Sequence, residues 1–152
     1  MCHQLAFWYK NLNLQIPVKA MSTGGIFLWK DEREVPDTMD ALMVHPEGVM
    51  ITWDSGFGNN QFRVSEDVLE TDGTILRTEM EVQYRPQRVN RRGTPTRGEH
   101  GEQNFFACVE SDKDPNCPFE LGFRVAIASR MAVDSYRQEC MTRWDPVMEE
   151  IV

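Results

Sequence analysis

The stretch FELGFRVAIASRMAVDSYRQECMTRWDP, residues 119–146, decides the fold. It predicts one long helix and then a short strand. Leu121, Val125, Ala128, Ala132 and Ser135 recur at helical spacing and form one stripe from about Phe119 to Gln138. Gly122, Ala126 and Ala128 are small, which suits a helix lying close on a sheet. Arg143-Trp144-Asp145-Pro146 closes the short strand. Upstream, Asp114-Pro115-Asn116-Cys117-Pro118 separates this helix from an earlier one over Glu99 to Ser111, with Phe105, Phe106 and Val109 as its inward face.

The sheet that this helix needs is written before it. Thr38 to Val44 and Val49 to Trp53 read as strands either side of His45-Pro46-Glu47-Gly48, a hairpin signal. In the second strand Val49, Ile51 and Trp53 point one way and Met50, Thr52 and Asp54 the other. Val18 to Trp29 also reads as strand, with Gly24-Gly25 as a bulge or bend, and Lys30 to Pro36 as a charged loop. Asp54 to Gln61 is a Gly/Asn-rich loop. Val68 to Glu70, Thr74 to Thr78 and Glu81 to Tyr84 read as shorter strands around an Asp72-Gly73 turn. Arg85 to Gly98 has linker composition. The sum is an α+β fold, a large mostly antiparallel or mixed sheet with helices on one face.

At the start, Leu5, Trp8, Tyr9 and Leu12 mark one face of a helix that Pro17 stops. Met1 and Cys2 give that helix neither a cap nor a lead-in turn. It therefore reads as a helix cut from a longer one, or as a start codon placed inside a gene.

The 152 residues suit one domain, 1–152, with ordinary shares of hydrophobic (41%) and charged (26%) residues. A formal net charge of −8 disfavours a nucleic-acid face. No apolar run approaches the ~20 residues of a membrane span. No basic-then-apolar leader precedes Leu5, so the expected compartment is the cytoplasm. Cys2, Cys108, Cys117 and Cys140 form neither a Cys-x-x-Cys pair nor a staple-like framework, which fits free thiols and no metal site.

In this order, several short words resemble the C-terminal domain of the Gfo/Idh/MocA oxidoreductases. They are Met1-Cys2-His3-Gln4 with Phe7-Trp8-Tyr9, Pro36-Asp37-Thr38, and Pro46-Glu47-Gly48. His100, Asn104-Phe105-Phe106 and Cys108-Val109 follow, then Pro115-Asn116, Glu120, Gly122, Arg124 and Ala126, with Arg143-Trp144-Asp145-Pro146 last. The likeness spans nearly the whole chain. It implies a fold like the C-terminal domain of glyceraldehyde-3-phosphate dehydrogenase, serving as a substrate and oligomerisation domain. It further implies NAD or NADP bound by an N-terminal Rossmann domain, a sugar, polyol or similar hydroxy compound as substrate, and self-association as dimer or tetramer through the open sheet face. A glycosidase using bound NAD is a related reading; a non-catalytic dimerisation module is another. The fingerprint of the nucleotide-binding half is absent here: Gly56-Phe57-Gly58 is followed by Gln61 at the third glycine position. No cofactor is expected on this chain alone.

The resemblance assigns His3 as the acid/base acting on the substrate hydroxyl, a role that suits an imidazole titrating near neutrality. Relatives place an aspartate three residues later, where this chain has Ala6, and their aromatic cluster arrives about two residues further on. A solvent-exposed histidine at a helix start is the competing reading. His100 resembles a pocket position, or is a polar residue of a first helical turn. Asp54 and Asn59, with Asn60, suit a polyol, although loops use the same residues. His45, beside Pro46, is expected at the surface.

Overall fold

The computed structural model describes residues 2–58, 65–78, 82–86, 107–111 and 113–152. Helix α1 (Cys2–Leu12) precedes three strands, β1 (Lys19–Gly25), β2 (Thr38–Val44) and β3 (Met50–Gly56). Strands β4 (Ser65–Leu69), β5 (Gly73–Thr78) and β6 (Val82–Pro86) follow, then helix α2 (Phe119–Gln138), β7 (Thr142–Asp145) and β8 (Glu150–Ile151). Residues 107–111 are also helical. Two compact units result, Met1–Gly58 with Phe105–Val152, and Asn59–Asn104.

The first unit holds a five-stranded sheet in the order β3-β2-β1-β7-β8, every described pairing antiparallel. The expected α+β class, a mostly antiparallel sheet backed by helices, is what forms. α1 and α2 pack on one face. Leu5 and Tyr9 from α1 meet Leu121, Val125, Ala128, Met131 and Ala132 from α2 over Ala20, Ala41 and Met43 of the sheet. Each large side chain so buried contributes roughly 1.5–3 kcal/mol. The stripe read along α2 is its buried face, with Met131 and Asp134 added to it. Gly122 and Ala126 do not belong there: space is open around Gly122, and Ala126 is exposed.

The end of α2 is tied into the sheet by hydroxyls. β1 pairs with β7 only at Lys19 and Ala20. Two residues on, the Ser22 N–H donates instead to Ser135 Oγ at 2.9 Å, and Ser135 Oγ donates to the Cys140 carbonyl at 2.6 Å. Ser22 Oγ in turn donates to the Ala132 carbonyl, and Thr142 Oγ1 to that of Met131 at 3.0 Å. Glu139 then takes the left-handed conformation, φ 53°, that ends the helix.

Other expectations need correction. The Val18–Trp29 strand stops at Gly25, because Asp37 captures the next backbone amides (below). Gly24-Gly25 is no bulge; the register with β2 runs unbroken to Gly25↔Thr38. Glycine is required there by close approach, since a Cβ on Gly24 would lie 2.3 Å from the Thr38 carbonyl oxygen. The hairpin is as read, with Gly48 at φ 78°. β8 was not foreseen.

The second unit holds a three-stranded antiparallel sheet, β4-β5-β6. Arg77 pairs with Glu66 across its first two strands. Most of the Arg85–Gly98 segment and most of the Glu99–Ser111 helix lie outside the described residues. Among the described residues no helix is long and apolar enough to cross a membrane.

Candidate functional site

α1 positions the candidate acid/base. Its turns bury Leu5 and Tyr9, and Leu14 N–H bonds back to the Tyr9 carbonyl as the helix ends. His3 precedes Leu5 by two residues, about 200° around the helix, and is exposed. The aromatic face of α1 is core, and His3 stands off it.

Asp54 lies on the other side of the sheet. β3 alternates, with Ile51 and Trp53 packed against the core and Met50, Thr52 and Asp54 exposed. In register, Asp54 faces Asp40, itself exposed, so two carboxylates sit directly opposite on the helix-free face. Beside them lie Met21, Leu42 and Met50, 51%, 45% and 61% exposed. The sheet thus stands between Asp54 and α1. Asn59, Asn60 and His100 lie outside the described residues.

The loop between β1 and β2 is built on a residue to which sequence reasoning gave no role. Asp37 is buried, 1% exposed. Its carboxylate accepts the N–H groups of Phe27 (3.1 Å), Leu28 (2.8 Å) and Trp29 (3.0 Å), and the Thr38 hydroxyl. The Trp29 amide first, then those of Leu28 and Phe27, hold its pKa down at about 2 against the cost of burial. Phe27, Leu28 and Trp29 are thereby fixed with their side chains exposed, Trp29 between the Arg33 guanidinium and the Phe57 ring. The Phe57 N–H donates to the Asp37 carbonyl at 3.0 Å, so the Gly56-Phe57-Gly58 turn braces this loop. That turn leaves an antiparallel strand. The described residues offer no strand, glycine-rich turn and helix of the kind that cradles a pyrophosphate. No group of three potential metal ligands occurs among them either.

His45 is the clearest correction. Expected at the surface, it is 2% exposed. Its parity explains this: Ala41, Met43 and His45 share the inward face of β2. Its Nδ1 lies 2.9 Å from the Gln15 carbonyl, and its ring meets that of Tyr9 edge-on at 5.2 Å. Burial lowers the imidazole pKa, opposed by the Gln15 bond and by Glu47. Burial also lifts the Tyr9 phenol well above its usual range, Glu47 adding to the rise and Arg124 opposing it. The alternation that exposed Asp54 would have found His45 had it been carried one residue beyond the strand.

No protein-family model matches the sequence, and no curated protein matches it. Solved structures do. An aldose-aldose oxidoreductase from Caulobacter crescentus, solved with glycerol, is 12% identical with a TM-score of 0.74, over 93% of this chain and 45% of that one. A UDP-N-acetylglucosamine 3-dehydrogenase from Acidithiobacillus ferrooxidans is 12% identical with a TM-score of 0.73, over 91% of this chain and 46% of that one. An oxidoreductase from Agrobacterium radiobacter, solved with NAD+, L-tartaric acid and magnesium, is 12% identical with a TM-score of 0.64, over 93% and 47%. This chain therefore has the fold of one part of such oxidoreductases and spans less than half their length.

Proposed function

We propose that this chain is the C-terminal, substrate-side half of an NAD(P)-dependent oxidoreductase of the Gfo/Idh/MocA type, acting on a sugar, polyol or related hydroxy compound. The observation that carries the reading is the coverage: over nine-tenths of this chain follows a fold that makes up less than half of each matching oxidoreductase. The sequence words that resemble the family run along this chain in the family's order. In the assembled enzyme a nicotinamide held by the other half would supply the hydride chemistry at the carbinol carbon. His3 accepts the departing hydroxyl proton, its exposure leaving the imidazole free to meet substrate. This chain alone is inactive.

The test is the coding DNA upstream of Met1, expressed with this chain if it is in frame. The reading expects a strand, a Gly-x-Gly-x-x-Gly turn and a helix there, and NAD(P)-dependent oxidation of a sugar or polyol. His3→Asn then lowers kcat by about 10²–10⁴-fold with the fold intact. An upstream sequence without such a unit, or a His3→Asn enzyme at full kcat, defeats it.

A second reading is favoured by the helix-free face, where Met21, Leu42 and Met50 are exposed in adjoining register positions. On this reading the face pairs two copies of the chain, and pairing is its whole role. Native mass spectrometry at micromolar concentration distinguishes a dimer or tetramer from the strict monomer that would refute it.

A further inference from the structure

We propose that His45 is an acid-operated latch that docks α1 and the segment following it onto the β2–β3 hairpin, and that protonating it releases them. The latch does not depend on the enzymatic reading.

Its geometry fixes the tautomer. The Gln15 carbonyl can only accept a hydrogen bond, so Nδ1 carries the proton and the neutral ring presents a bare Nε2. Among the described residues, that Nε2 is buried with no hydrogen-bond partner, and the same holds for the hydroxyl of Tyr9, whose ring meets the imidazole edge-on. A second proton on the ring would place a charge and an unsatisfied N–H in a site closed to water. The neutral ring avoids both.

What His45 joins is also defined. Tyr9 belongs to α1 and is wholly buried, and Gln15 lies in the segment that leads from α1 to β1. Around the imidazole, α1 contributes Tyr9 and the hairpin itself contributes Glu47. α2 contributes Arg124, whose charge acts on the phenol and whose Nη1 donates to the Leu14 carbonyl. Glu47 is exposed and its Oε1 already accepts the Gln15 N–H at 2.9 Å, so it screens a buried imidazolium only in part. When the latch opens, the ring returns to water and to its ordinary pKa. The sign follows: docking is at full strength above about pH 6.5 and weakens as the pH falls towards the depressed pKa of the docked ring.

Hydrogen exchange on the full chain tests this between pH 7.5 and 5. Protection factors for α1 amides are expected to fall by up to about tenfold per pH unit below about pH 6.5, while those of β1 and β2 hold. In His45→Phe, which keeps a buried ring and removes the titration, the α1 factors stay flat; in Tyr9→Phe, which keeps the imidazole, they still fall. Should His45→Phe not fold, nitrogen-15 NMR of His45 in the unaltered chain decides: a ring that is Nδ1–H while neutral and takes up its second proton at lower pH than a free imidazole is expected. PH-independent α1 protection, the same fall in His45→Phe, or an imidazole already charged at pH 6.5 would overturn the latch.

Discussion

Replacing Ser135 by Ala removes a buried hydroxyl that joins α2, β1 and the turn into β7. Ser135 is wholly buried, so water does not replace it. Two bonds go at once. The Ser22 N–H loses its 2.9 Å acceptor just where β1 runs out of strand partner, and the Cys140 carbonyl loses its 2.6 Å donor. An orphaned buried donor costs about 1–3 kcal/mol and a lost neutral hydrogen bond about 1 kcal/mol, so the variant should lose about 2–4 kcal/mol. With an m-value of about 2 kcal/mol per molar urea, the unfolding midpoint should move down by about 1–2 M at unchanged slope. Ser22→Ala is the internal comparison. It loses only the bond from Ser22 Oγ to the Ala132 carbonyl, in a half-buried site, and should cost about 1 kcal/mol or less. The double variant should fall short of the sum, because the two serines share one network. A Ser135→Ala midpoint within about 0.3 M of the unaltered chain would refute the reasoning, since the Ser135 hydroxyl would then add nothing to the apolar contacts and to the Ser22 and Thr142 hydroxyl bonds that remain.

Two further perturbations read the sheet and its loop. Gly24→Ala sets a Cβ 2.3 Å from the Thr38 oxygen and 2.9 Å from Met39 Cα, both backbone atoms, and should cost about 1–3 kcal/mol; thermal melting should show it, with Gly56→Ala, which meets nothing within 4 Å, close to neutral. Asp37→Asn addresses pH. The carboxylate pKa is depressed to about 2, so its stabilisation is complete above its unfolded value of about 3.9 and is lost as the pH falls towards 2. The Asn variant should start less stable and respond less to acid over that window, with Trp29 fluorescence reporting the loosened loop. Matching acid profiles for the two chains would count against the clamp.

The sequence was most readable where a single periodicity governs burial. Leu121, Val125, Ala128, Ala132 and Ser135 could be placed on the inner face of α2 because every fourth or third residue must meet the sheet. The β2–β3 hairpin was readable because Pro46 and Gly48 punctuate two alternating runs. Reading failed where a long-range hydrogen bond overrides local pattern. Asp37 ends β1 by capturing three amides eight to ten residues upstream, and nothing local at Phe27 announces that. The partner that closes around Gly24 is the backbone of another strand, and close approach looks the same as flexibility in a sequence. His45 was misjudged because the adjacent proline suggested a solvent-exposed turn, whereas the parity of Ala41 and Met43 carries on through it. For the site, sequence reasoning named residues but not their relation: the sheet that separates Asp54 from α1 is a tertiary fact.

Calorimetric titration of NADH into this chain tests most directly the claim that it is one half of a two-part oxidoreductase. No binding is expected, because the Phe57 N–H is already held by the Asp37 carbonyl and, among the described residues, no strand leads through a glycine-rich turn into a helix. A micromolar dissociation constant would contradict it.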